Sequence, residues 1–331
     1  MSDSFAFLVV TLIIILAFEA VNGWTDAPNA IATVVSTRVL RPSYAVVLAA
    51  VFNLLGALSG TAVATTIGKG IVDLNVLSLE TVAAAALAVI IWSSFAAYLG
   101  LPTSESHGII AGIAGAGVAV GGWGVLLLSG WKLVLIGLGV AVLAGFGGGF
   151  LAMFALTWAL RRAGPSLVRR LFSPLQLFSA AFMAWSHGTA DGQKAMGVMA
   201  MALAIYYHPQ EAISNFNVPL WVILLAASTM AVSTAFGGWR IIRTLGMRLT
   251  HLQPVHGFAA ETAAAATITI SSRFGIPLST THTIGSAIMG VGSTRRLSAV
   301  RWGVAQEIVM AWILTFPICF GLGWLIAFLL P

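Results

Sequence analysis

The sequence predicts an all-α polytopic membrane protein, with about 10–12 membrane segments arranged as two inverted-topology repeats. Three observations carry that prediction. Of 331 residues, 59% are hydrophobic and only 8% charged, against roughly 25% charged in soluble domains. Apolar runs long enough to cross a hydrocarbon core of about 30 Å recur from end to end. Two polar motifs appear in the same order in each half of the chain.

Ten apolar stretches are expected as helices. In the first half they lie at about 4–37, 43–67, 77–99, 103–120 and 132–160. In the second they lie at about 175–206, 218–239, 254–272, 278–292 and 303–330. This divides the chain into a first repeat (1–160), an Arg-rich cytoplasmic linker (161–174) and a second repeat (175–331). The start, Met-Ser-Asp-Ser, lacks a basic region and no cleavage site follows, so the first stretch reads as a retained span. Stretches 4–37 and 175–206 are too long to cross once; at 1.5 Å per residue each would extend about 50 Å. Both carry a polar interruption, Asn22-Gly-Trp-Thr-Asp26-Ala-Pro-Asn29 and His187-Gly-Thr-Ala-Asp191-Gly-Gln-Lys194. Glycine and proline let a helix unwind there, so two broken helices are expected at these positions. Such breaks persist in a bilayer only where they face protein or a watery cavity.

The interruptions align. Setting Asp26 on Asp191 also sets Gly23 on Gly188, Asn29 on Lys194 and Ala30 on Ala195. A second pair follows, Gly100-Leu-Pro-Thr-Ser-Glu-Ser-His107 and Gly275-Ile-Pro-Leu-Ser-Thr-Thr-His282. Two matches in one order make an internal duplication. The net charge of +6 is carried by short arginine clusters between apolar stretches. They are Arg38 and Arg41; Arg161, Arg162, Arg169 and Arg170; Arg240, Arg243 and Arg248; Arg295, Arg296 and Arg301. That is a positive-inside pattern rather than a nucleic-acid surface. Placing these clusters inside puts both termini, 68–76 and 207–217 outside. Half one then begins outside and half two inside, so the repeats are inverted, the architecture of secondary transporters. The single cysteine, Cys319, excludes an intrachain disulfide.

An ionisable group at mid-membrane costs about 2.5–3.5 kcal/mol on insertion scales, which singles out Asp26 and Asp191. In the second pair, proline opens a helix and Ser104 or Ser279 sits beside its free N–H groups. Such a terminus attracts anions, and Thr103, Ser106, Thr280 and Thr281 add hydroxyls. Alone, each motif reads as ordinary capping and interhelical glue; mirrored, the two could form opposite sides of one pocket. Lys194 either balances Asp191 or contacts an anion, and Gln193 beside it offers an amide donor. His107 and His282 read as packing groups rather than metal ligands. Glu261 is a candidate cation ligand, and Glu19, Glu80 and Glu307 read as structural.

At these residues the sequence resembles the PiT family of inorganic phosphate transporters. One family signature matches Gly23-Trp-Thr-Asp26-Ala-Pro-Asn29-Ala30, the other His187-Gly188-Thr-Ala-Asp191-Gly-Gln193-Lys194-Ala-Met196-Gly197. The hairpin signature Pro-x-Ser-Thr-Thr-His matches Pro277–His282 fully and Pro102–His107 in part. The resemblance implies phosphate among Ser104, Ser279, Thr280, Thr281, Asn29 and Gln193, with Asp26, Asp191 and Glu261 near the coupling cations. Glu105 departs from the family, which has threonine there, and adds a carboxylate that bears on cation stoichiometry.

An anion that shares a site with two carboxylates is repelled by about 3 kcal/mol per unit pair at about 5 Å, so its binding requires a neutralising cation. The expected function is therefore symport of inorganic phosphate with Na⁺ or H⁺, and not catalysis. No cofactor is expected beyond the coupling ion. The partners expected are phosphate, free or as a metal–phosphate complex, the lipid bilayer and, in a homodimer, a second copy; nucleic acid is not among them. The expected location is a prokaryotic plasma membrane. Competing readings are a sulfate or other tetrahedral-oxyanion symporter, an intramembrane hydrolase using Ser104 and His107, and a channel.

Overall fold

The protein is seen in a computed structural model that describes residues 4–208, 214 and 216–330. The expected outer loop 207–217 lies largely outside these residues, as do the first three residues and the last. Among the described residues the regular structure is helical, as composition predicts. The first half contains α1 (Phe5–Ser36), α2 (Pro42–Ala57), α3 (Ala62–Lys69), α4 (Leu79–Leu99), α5 (Glu105–Gly121) and α6 (Leu128–Ala159). The second contains α7 (Pro165–Tyr207), α8 (Leu220–Thr234), α9 (Trp239–Arg243) with a π-helical turn Thr244–Arg248, α10 (Pro254–Arg273), α11 (Thr280–Ser293) and α12 (Trp302–Leu329). Residues 165–174 of the expected linker are therefore the first turns of α7.

The breaks are not where the polar interruptions suggested. Helices α1 and α7 run without interruption through Asn22–Asn29 and His187–Lys194. Side-chain contacts cross the interface there, Lys194 meeting Asn22 and Asp26, without any unwound backbone. The breaks fall one element later: α2 and α3 meet at 73°, α8 and the α9 segment at 63°. Helices α1, α4, α6 and α12 are each long and apolar enough to span a membrane, and each bent pair makes one further candidate span. Helices α5 and α11, at 17 and 14 residues, reach only about 25 and 21 Å. Each returns from a tight turn at the end of α4 or α10, so the Pro-Ser-His motifs sit at the tips of two helical hairpins. Gly100 (φ +76°) and Gly275 (φ +65°) start these turns in a left-handed conformation that costs a residue with a Cβ.

Pairing follows a mirror. Helix α2 packs on α7 and α8 on α1; α5 packs on α12 and α11 on α6; α4 packs on α1 and α10 on α7. Two aligned glycines allow close crossings. A Cβ on Gly188 would lie 2.2 Å from the Asn53 carbonyl of α2, and one on Gly23 would lie 2.8 Å from the Met230 carbonyl of α8. Helices α1 and α7 are antiparallel: Asn22 meets Lys194, while Thr37, 15 residues later on α1, meets Gln176, 18 residues earlier on α7. One hydrophobic core gathers Leu8, Phe18, Ile67, Ile109 and Met199; another gathers Ile31, Ala49, Met183, Ile268 and Ile288. Both halves contribute to each core. The polar middles of α1 and α7 lie on the seam between them.

The arginine clusters converge on one end. Arg38, Arg169 and His251 line a single cavity, and His251 also borders a cavity with Arg295, Arg296 and Arg301. Arg248 pairs with Glu307 of α12. Arg273 is the exception; it closes α10 on the side away from these clusters, beside Ser59 and Gln193.

Candidate functional site

The two aspartates, 165 residues apart by their own numbers, meet at the centre. One carboxylate oxygen from each of Asp26 and Asp191, and a ring nitrogen of His187, lie within 4.8 Å of one another. Lys194 Nζ sits 3.0 Å from Asp191 Oδ2 and 3.8 Å from Asp26 Oδ2, and donates to Asn22 Oδ1 at 3.2 Å. Asn22 in turn donates to Glu19 at 3.1 Å. His187 Nε2 lies 3.1 Å from Asp191 Oδ2, and its Nδ1 lies 3.1 Å from Asn53 Oδ1. Lys194 thus stands between the two carboxylates rather than apart from them.

The second hairpin supplies the hydroxyls. Thr280 Oγ1 donates to Asp191 Oδ2 at 3.0 Å and Thr281 Oγ1 donates to Asp26 Oδ1 at 3.1 Å. Asn29 Nδ2 reaches Thr281 Oγ1 at 2.9 Å and Thr280 Oγ1 at 3.3 Å. Ser279 caps α11, its Oγ accepting from the His282 N–H at 3.2 Å; Ser104 caps α5 through the His107 N–H at 3.3 Å. The hairpins touch: Ser106 Oγ donates to the Leu278 carbonyl at 3.2 Å, and the His107 and His282 rings are 4.7 Å apart. Glu105 accepts from Thr25 at 2.9 Å and Thr103 at 3.4 Å. All of these side chains are buried.

Two expected members lie elsewhere. Gln193 Oε1 accepts from the Val63 and Ala64 N–H groups at the start of α3, at 2.8 and 3.3 Å, while its Nε2 donates to the Thr189 carbonyl. It faces a cavity of about 290 Å³ with Arg273 at its edge. Glu261 accepts from Thr33, Ser179 and Gln176. Thr33 is seven residues beyond Asp26 on α1, so this cluster is about 10 Å along the helix from the aspartates.

Several central oxygens have no hydrogen-bond partner: Asp26 Oδ2, Asp191 Oδ1, Asn29 Oδ1 and Glu105 Oε2. A buried polar atom without a partner costs roughly 1–3 kcal/mol. Each of these four is an acceptor, the atom type that ligates hard cations. Of these residues, Asp26 and Asp191 bring a carboxylate oxygen each to within 4.8 Å of a His187 ring nitrogen, a grouping that could hold a cation. The hydrolase reading finds no such support, because Ser104 Oγ meets the backbone N–H of His107 while that imidazole packs on Phe316.

The model of the phosphate transporter family matches residues 22–168 and 163–323. This chain belongs to that family. Among its relatives is a probable low-affinity inorganic phosphate transporter of Rhizobium meliloti, 42% identical over 95% of this chain and 93% of its own length. A protein of the same description from Bacillus subtilis is 38% identical over 98% of both. A solved sodium-dependent phosphate transporter shares the fold, with a TM-score of 0.87 over 98% of this chain and 99% of that one, at 22% identity. In this family member, then, the chain is a multi-pass membrane transporter rather than an enzyme. His187, Asn22, Glu19, Thr25, Asn53 and the Thr33–Gln176–Ser179 set were not among the residues expected from sequence. For His187 a signal existed: four residues before Asp191, it shares that helix face. The others depend on which helices cross, which no local pattern specifies.

Proposed function

We infer that this family member moves inorganic phosphate across a prokaryotic plasma membrane by symport with Na⁺ or H⁺, both termini outside. The observation behind this reading is the pairing of Thr280 with Asp191 and Thr281 with Asp26. The hydroxyls suited to phosphate are engaged by the carboxylates that a cation would neutralise. Cation binding at Asp26 and Asp191 weakens those hydrogen bonds and frees the threonines to donate to an oxyanion. The serine-capped starts of α5 and α11 add N–H groups and positive dipole ends. Without the cation, Asp26, Asp191 and Glu105 outnumber Lys194, and a phosphate anion meets net repulsion.

The acceptor-rich centre also suits a metal ion travelling with phosphate, so the cargo is phosphate alone or a metal–phosphate complex. Radiolabelled phosphate uptake into proteoliposomes under imposed Na⁺ or pH gradients tests the reading. Gradient-driven, saturable accumulation that arsenate inhibits far better than sulfate supports it. Equal or stronger inhibition by sulfate transfers the function to another tetrahedral oxyanion, and unsaturable flux makes the protein a channel.

A further inference from the structure

The Arg-rich end contains a cavity of about 490 Å³ between the start of α10, the last turn of α11 and the connection to α12. Its wall includes His251, His256, Arg295, Arg296 and Arg301, and no carboxylate. Through His251 it adjoins a larger cavity of about 880 Å³ that Arg38 and Arg169 border, also without a carboxylate. Among the described residues, the acidic side chain at this end is Glu307, already paired with Arg248 at 3.6 Å. Arg295, Arg296 and Arg301 are exposed at this cavity, and no acidic side chain lines it. Their positive charge is therefore open to an anion arriving from outside the protein.

The duplication does not repeat this feature. In the register that superposes the two hairpin motifs, Arg295, Arg296 and Arg301 correspond to Val120, Gly121 and Leu126, and His251 and His256 to Val76 and Thr81. The transport machinery is mirrored; the basic cavity belongs to one face of the membrane. Beside it Trp302 opens the apolar helix α12, its Nε1 donating to the Leu297 carbonyl at 2.8 Å. Trp302 is 48% exposed and Leu297 68% exposed. An exposed tryptophan at the start of an apolar span marks headgroup depth. Basic pockets between helices at that depth suit anionic lipid headgroups. A soluble anion would have no use for the apolar rim.

We propose that this cavity binds the phosphodiester headgroup of an anionic phospholipid, with acyl chains lying along Leu297 and Trp302. The test is lipid binding to full-length protein in detergent, by native mass spectrometry and by thermal stability. Phosphatidylglycerol and phosphatidylcholine are compared on the wild type, on Arg295→Gln/Arg296→Gln, and on Arg161→Gln/Arg162→Gln, which removes equal charge outside both cavities. Phosphatidylglycerol should be retained at least tenfold better than phosphatidylcholine by the wild type and the control, with that preference lost in the cavity variant. Should the double variant fold poorly, Arg296→Gln alone is expected to weaken retention several-fold. No lipid preference in the wild type, or equal loss in the control, overturns the proposal. So does stabilisation by inorganic phosphate, without any by phosphatidylglycerol, that disappears with Arg295 and Arg296.

Discussion

The hydroxyl of Thr244 donates a 2.8 Å hydrogen bond to the carbonyl of Gly100, the left-handed residue on which the first hairpin turns. The second hairpin is held in the same way, Thr66 donating to the Gly275 carbonyl at 2.8 Å. Each latch therefore lies on the far arm of a bent helix, α3 or the α9 segment, and each grips the hairpin from the opposite half. The Thr244 latch borders a cavity with Arg240, Arg243 and Arg248, towards the Arg-rich end. The Thr66 latch holds Gly275, two residues after Arg273 at the end of α10, away from the Arg-rich end.

Releasing one latch should open the centre towards that latch alone. In a Cys319→Ala background, a cysteine at buried Ser106 reports access to the hairpin tips. Thr244→Val is expected to speed labelling of that cysteine by an impermeant thiol reagent from the Arg-rich face. Thr66→Val should speed it from the other face. A hydrogen bond of about 1 kcal/mol corresponds to roughly a fivefold change. Equal effects from both faces would show that these bonds stabilise the fold without gating it.

Glu105 concerns stoichiometry. It occupies the hairpin position that Thr280 holds in the second half, yet it accepts from Thr25 and Thr103 where Thr280 donates to Asp191. Glu105→Thr restores a hydroxyl and removes one negative charge from the centre. Phosphate affinity at low cation concentration should rise roughly tenfold, the effect of ~1.4 kcal/mol. The cation-to-phosphate ratio, from reversal potentials in proteoliposomes, should fall by one. An unchanged ratio would make Glu105 a structural partner of Thr25.

Much of this arrangement is legible in the sequence because duplication makes sparse signals redundant. Asp26 and Asp191 stand out as rare charges in apolar runs, and the serine caps follow from Pro-x-Ser at mirrored positions. What misled was treating Asn22–Asn29 and His187–Lys194 as backbone breaks. Polar side chains in a membrane helix require partners, and partners came from the facing helix as readily as from unwound backbone. The real breaks, at 58–61 and 235–238, contain mostly Leu, Ser, Gly and Phe, which carry no charge to draw attention. Gln193 illustrates the other gap: its place at the start of α3 depends on a 73° bend that no residue spacing announces.

Orientation is open to direct test. The arginine clusters converge on one end, and exposed residues at the two ends are Ser166 and Asn75. With Cys319 replaced by alanine, Ser166→Cys should be labelled from the cytoplasmic side and Asn75→Cys from outside. Labelling of both from one side would refute the inverted topology.

Coupling is the strictest test of the electrostatic reading. Asp26→Asn and Asp191→Asn each keep shape while removing one negative charge, and each leaves Lys194 with one carboxylate fewer. If the aspartates hold the driving cation, either change should abolish gradient-driven accumulation. Phosphate exchange should fall less, because the anion faces one repulsion fewer, about 3 kcal/mol at about 5 Å and an effective dielectric of 20. The dependence of phosphate affinity on Na⁺ or on pH should weaken in both. Ser104→Ala and Ser279→Ala are expected to do the opposite: each removes a helix cap costing about 1 kcal/mol and a donor to the anion, so affinity drops while cation dependence persists. The measurement is phosphate affinity across a cation titration in all four variants. Full cation dependence and normal accumulation in the asparagine variants would make Asp26 and Asp191 structural counter-ions of Lys194, and the driving ion would then have to act at the Glu261 cluster.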